Sequence, residues 1–204
     1  MALISNGTTI FDNGSMASGF GGNMVFIKKL TASSSATLSF VDGSDGVVLD
    51  DTYKEYVFTF KNIHPATDNV AFSFQGNAVG GSGYNETMTT TYITAYHTES
   101  GSSAVLEYTG GSDQAQGTSF QSLLHGSGNG NDECSSGYLH LFNPSSTTFV
   151  KHFTAVSNHI HYQDISFNHY VAGYFNTTSA IDEIQFKMSS GNIDAGDICL
   201  YGIA

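Results

Sequence analysis

Residues 181–204 read IDEIQFKMSSGNIDAGDICLYGIA. Ile184, Phe186 and Met188 alternate with Gln185 and Lys187, the period of two that marks a strand with one buried face. A polar turn, Ser189-Ser190-Gly191-Asn192, interrupts the run, and after Gly196 a second one places Ile198, Leu200 and Gly202 on one side. Two alternating runs joined by a Gly/Asn connection predict a β-hairpin. The second run reaches almost to Ala204, which predicts a terminal strand docked inside a sheet.

The same alternation recurs upstream. Tyr56, Phe58 and Phe60 oppose Val57, Thr59 and Lys61, and Val70, Phe72 and Phe74 oppose Ala71, Ser73 and Gln75, so each run predicts a strand with its aromatics inward. The connection Asn62 to Asn69 holds Pro65, and the two strands are expected to be antiparallel neighbours. A longer run from Glu86 to His97 is dominated by Thr, Tyr and Ile, which suit a pleated surface. Further strands are predicted at 24–30, 36–40, 104–108, 119–124, 137–142, 148–156 and 170–175. His125 to Gly137 reads as a mobile, exposed Gly/Ser/Asn loop. Ten to twelve short strands separated by turn signals predict an all-β domain over 24–204, an antiparallel β-sandwich of jelly-roll-like form. Residues 1–23 hold repeated glycine turn signals and only isolated apolar groups, and are expected to be a flexible arm ordered by a neighbour.

Composition fits this reading and removes several functions. Charged residues are only 12% of the 204, whereas Gly (23), Phe (15) and Tyr (11) are plentiful. Eighteen acids face six lysines, with no arginine, for a formal charge of −12. With no basic stripe and no guanidinium to grip phosphates, nucleic acid is excluded as a partner. No apolar run is long enough for a membrane helix, and the N-terminus has neither the basic nor the apolar part of an export leader. Cys134 and Cys199 are too few for a disulfide framework and are expected to be free thiols.

The SSGN turn and the G-x-I-x-L-Y-G-I ending resemble the C-terminal hairpin of small β-rich fibre, tail and decoration proteins of marine tailed phages. Looser resemblance runs through LTASSSATLSF, TYKEYVFTFKNIHPATDNVAFSFQGN and GYLHLFNPSSTTFVKHF. It implies a structural protein of a virion, most often three-fold. Strands 137–142 and 170–175 are partly apolar or aromatic on both faces, and in a chain without helices the second face must be covered by another copy. The expectation is a homotrimer whose arm docks to other virion proteins. The alternative is a receptor-binding tip that holds a host surface glycan, with Tyr84, Tyr92, Tyr96 or Tyr162 stacking on the sugar.

Three constellations could carry chemistry. His140, His152, His159, His161 and His169 lie close in sequence, and His159-x-His161 puts two imidazoles on one strand face, as metal sites on jelly rolls do. The cupin pattern would follow them with a glutamate, but here the nearest acid is Asp164, one residue early and of the other type. The alternatives are a metal pair, structural histidines, or imidazoles that stack between subunits; the structural reading is favoured. Asp42 and Asp45, with Asp50 and Asp51 nearby, offer hard oxygens for calcium, but lack spaced ligands and read more simply as turn residues. No G-x-S-x-G elbow, Cys/His pair or marked carboxylate pair is present. Neither a catalytic residue nor a cofactor is expected, and His159, His161, Asp42 and Asp45 are the only metal candidates.

Overall fold

The computed structural model describes residues 3–6, 8–12, 15–16 and 23–204. Among the described residues there is no helix. The strands are β1 (Leu3–Ser5), β2 (Thr8–Asp12), β3 (Ser15–Met16), β4 (Met24–Thr31), β5 (Leu38–Val41), β6 (Glu55–Pro65), β7 (Val70–Ala78) and β8 (Met88–Thr98). They continue with β9 (Ala104–Tyr108), β10 (Ala115–Gly117), β11 (Gln121–Ser127), β12 (Ser135–Phe142), β13 (Lys151–His161), β14 (Ile165–Phe175), β15 (Ile181–Met188) and β16 (Ile193–Ile203). The all-β, antiparallel expectation holds, and the main sheet of 13 strands curls into a nearly barrel-shaped body.

One run of strands is β4-β16-β6-β12-β13-β14-β8, with β9 and β10 beside β8. A second run is β11-β7-β15-β5, joined to the first where Ser127 pairs with His161. The first three strands pair among themselves as a separate small sheet. The segment 1–23, expected as a flexible arm ordered by a neighbour, carries short strands between Leu3 and Met16. The part of that expectation concerning residues 17–22 lies outside the described residues.

Two pairings differ from the sequence expectation. β15 and β16 are strands, but not a hairpin: β15 lies between β7 and β5, and β16 between β6 and β4. Likewise β6 and β7 are not neighbours in the sheet; they face each other, with the Phe60 and Phe72 rings 5.3 Å apart. In both cases a short connection crosses from one run to the other. The two crossings lie side by side, where Ala66 N donates to Asn192 O at 3.0 Å and Ala71 N to Ser189 Oγ at 3.0 Å. Gly191 is required here, because its φ is +69° and a Cβ would overlap Thr67 Oγ1. The terminal strand is docked inside the sheet, as its alternation predicts.

Between the two runs sits an aromatic core. Phe186 of β15 has ring centroids of Phe40, Phe58, Phe60, Phe72 and Phe74 within 6.3 Å, so it touches rings from β5, β6 and β7 at once. All six rings are buried. Phe186→Ala should therefore cost about 3–5 kcal/mol of stability, read as a lowered urea midpoint, while exposed Phe149→Ala should move it by less than about 0.5 kcal/mol.

Candidate functional site

The inner face of β13 changes character along its length: Lys151, Phe153, Ala155, Ser157, His159 and His161 all point into the body. β14 contributes His169 opposite Ser157 and Phe167 opposite His159. From the other run comes His125 of β11. Four imidazoles thus occupy one end of the interior, where the other end holds phenyl rings. Ring centroids lie 4.7 Å apart for His125 and His169, 5.2 Å for His159 and His169, and 6.2 Å for His159 and His161. Phe167 is the hub, with all four imidazole centroids within 5.8 Å and Tyr96 stacked on it at 4.9 Å. Tyr92 packs on His125 and His169.

Few hydrogen bonds hold these rings. His169 Nδ1 meets Thr94 Oγ1 at 3.2 Å, and that hydroxyl meets Thr109 Oγ1 at 2.7 Å. His161 Nδ1 accepts from Gln163 N at 3.3 Å, which leaves its proton on Nε2 in the neutral form. Both nitrogens of His159, the Nε2 atoms of His125 and His169, and the hydroxyls of Ser127 and Ser157 are buried without a partner. The His125 and Gly126 carbonyls lie near His159 but complete no hydrogen bond of normal geometry.

Burial without a carboxylate in contact favours the uncharged imidazole. His159 is pushed down to about 3, first by burial and then by His161 and His125. His169 is pushed to about 2 by burial and by the other three histidines. His125 and His161 are lowered by burial, with Glu107 acting against this at His125 and Asp68 at His161. At neutral pH the cluster is therefore a neutral, polar filling of the interior. It lacks the acid that would make a histidine a strong base.

Of the histidines expected together, His140 and His152 lie apart. His140 pairs with Glu55 at 3.0 Å, and His152 is exposed beside Tyr174. His125 was missed, because the Gly/Ser/Asn run after it reads as loop. β11 in fact continues through Ser127 and β12 begins at Ser135, so the loop spans only 128–134, with Gly128 buried and Asn129, Asn131 and Asp132 exposed. His159 and His161 share a face as expected, but that face is the interior, and their rings pack on Phe167. Among the described residues no three histidine, cysteine or acidic side chains are placed to hold a metal ion.

The acidic loop is a turn. Asp42 Oδ1 accepts from Leu49 N at 2.7 Å, Asp45 pairs with Lys28 at 2.5 Å, and Asp50 Oδ1 accepts from Thr52 N at 2.8 Å. Asp42 and Asp50 are engaged within the loop and Asp45 by Lys28 of β4, and Asp45, Gly43 and Gly46 take the positive φ of tight turns. Cys134 and Cys199 are unbridged and half-buried.

The outward face of the larger run is the other surface of note. Cross-strand register lines up Tyr108, Ile93, Tyr170, Val156 and Tyr138 in one row over β9, β8, β14, β13 and β12. The next row is Thr91, Ala172, Thr154 and His140. No outward residue of these five strands is Asp, Glu, Lys or Arg. Tyr170 and Tyr138 are 46% and 44% exposed.

Gly126 connects the cluster to the fold. Its φ is +73°, and an added Cβ would overlap the His161 ring. Gly126→Ala should destabilise the protein by more than about 1 kcal/mol in urea unfolding, whereas Gly111→Ala, with open space around it, should change little. No family model matches the chain, and no curated protein and no solved structure matches it.

Proposed function

We propose that the chain is a non-catalytic structural protein of an assembled particle, acting by association through the outward face of β12, β13, β14, β8 and β9. The supporting observation is the absence of charge on that face in a chain of net charge −12. A chain so acidic repels its copies, but here exposed Tyr138, Tyr170 and Ile93 offer apolar area with the acids held to its margins, Asp113 at Tyr108 and Glu55 at His140. Five strands about 4.8 Å apart and roughly 30 Å long present on the order of 600–700 Å². That approaches the ~800 Å² per partner of a stable interface. On this reading the two strand runs are the layers of a jelly-roll-like β-sandwich, three copies form a homotrimer, and the particle is a tailed-phage virion. The N-terminal residues 1–23 contact other virion proteins.

A receptor-binding role has one feature in its favour. A trough of about 330 Å³ lies over Gly173, bordered by Thr89, Thr91, His152, Thr154 and Tyr174. Hydroxyls and a tyrosine ring are groups that suit a sugar. It is shallow and open, so association remains the better reading.

Light scattering on the full chain should give about 65 kDa, three times 21.7 kDa. Tyr138→Glu combined with Tyr170→Glu should give monomers with an unchanged β circular-dichroism spectrum, because each places an acid in the uncharged row. A wild-type chain that stays at 21.7 kDa at micromolar concentration overturns the reading. So does a double variant that associates normally.

A further inference from the structure

We propose that His125, His159, His161 and His169 make the junction between β11 and β13 an acid-sensitive joint, which opens on protonation while the rest of the sheet stays paired. The junction is narrow. β13 pairs with β12 from Phe153 to His159 and with β14 along its whole length, but meets β11 only at Ser127 and His161. One further backbone bond reinforces it, Tyr162 N to Gly126 O at 3.1 Å, whereas Ile160 N donates to Cys134 O at 3.3 Å on the β12 side. What fills the space behind these few bonds is the imidazole cluster around the Phe167 ring, with several ring nitrogens unbonded. A joint held by little backbone pairing opens before one held by many bonds.

The charged and titratable groups around the cluster decide the order of events. β8 supplies Tyr92 and Tyr96, and β14 supplies no acid. Tyr162 packs on His161 at 4.3 Å. Glu107 of β9 favours charge on His125, and Asp68, between β6 and β7, favours it on His161. His159 and His169 face only aromatic rings, hydroxyls, other imidazoles and backbone, and are 2% and 0% exposed. As pH falls, His125 and His161 at the rim take protons first. Each then repels charge on His159 and His169, whose rings are within 6.2 Å of them or of each other.

The sign follows from linkage. A histidine held below its ordinary value of about 6.5 binds its proton more readily once the joint is open. The closed state is therefore fully favoured above about pH 6.5 and loses ground as pH falls below it. Between pH 7 and pH 5 the open state gains roughly 25-fold for each imidazole that charges only there. For His159 and His169 together the gain is several hundred-fold.

Amide hydrogen exchange on the full chain, corrected for intrinsic rates, tests this at pH 7 and pH 5. Protection at Tyr162, bonded to Gly126 of β11, should fall several hundred-fold, while Phe58 and Leu200, paired between β6 and β16, remain protected. His159→Phe combined with His169→Phe should remove most of the fall. If that variant does not fold, the side-chain resonances of His159 and His169 in the wild type decide: both should stay neutral at pH 5 in the closed form. Equal protection at the two pH values overturns the proposal. So does simultaneous loss across all strands, or a closed form in which both histidines titrate near pH 6.5.

Discussion

The structure depends on one ring. Phe186 reaches from β15 to phenyl groups of β5, β6 and β7, and so ties both strand runs to a common centre. Its partners Phe58 and Phe60 lie across the interior, whereas Phe72, Phe74 and Phe40 are on the adjacent strands of its own run. Phe40 and Phe60 meet Phe186 edge-on, as Phe40 meets Phe58 and Phe60 meets Phe72, the geometry that places a positive ring edge on a negative ring face, while Phe72 stacks on Phe186. A closed aromatic centre of this kind demands that each strand entering it present its bulky residues on one side only, which is the alternation seen in β6, β7 and β15.

Away from that centre the interior is polar at both ends of β13. At one end Lys151 is buried, donating to Thr177 O at 3.1 Å, and burial lowers its pKa. At the other end lie the four imidazoles. Buried polar groups cost free energy unless they are hydrogen-bonded, and the cluster leaves several nitrogens unbonded. That end is therefore held less firmly than the phenyl end. It is also where the second strand run meets the first through a single residue pair. Weak packing and thin pairing coincide, which is the physical basis for a local opening.

The outward face obeys a different constraint. A sheet covered on one side can leave its other side to water, and then polar and charged residues alternate with apolar ones. At their outward positions β12, β13, β14, β8 and β9 depart from this by using Tyr, Thr, Ile, Val and Ala with Ser, Asn and His and no acid, although the chain has eighteen. Charge reappears on both flanks: Glu55, Lys61 and Asp197 on one, the last two paired at 3.2 Å, and Glu107 and Asp113 on the other, where Asp113 accepts from the Tyr108 hydroxyl.

Period-two alternation made the strands and their buried sides legible: Phe58, Phe72, Phe186 and Leu200 are all interior, and β16 is docked between two neighbours. Partner choice was not legible in the same way. Alternation records which side of a strand is dry, and a tight hairpin and a crossing between two strand runs present the same pattern, so β15 with β16 and β6 with β7 read as pairs when they are not. The turn at Asp42 and Asp45 followed from residue type, since Asp and Gly supply the required backbone conformations locally. The histidine cluster was half legible. His159 and His161 share a face by spacing alone, but His125 stands 34 positions before His159 and beside a glycine run. Only the meeting of β11 with β13 brings it to His169, because long-range packing of that kind leaves no periodic trace in the chain.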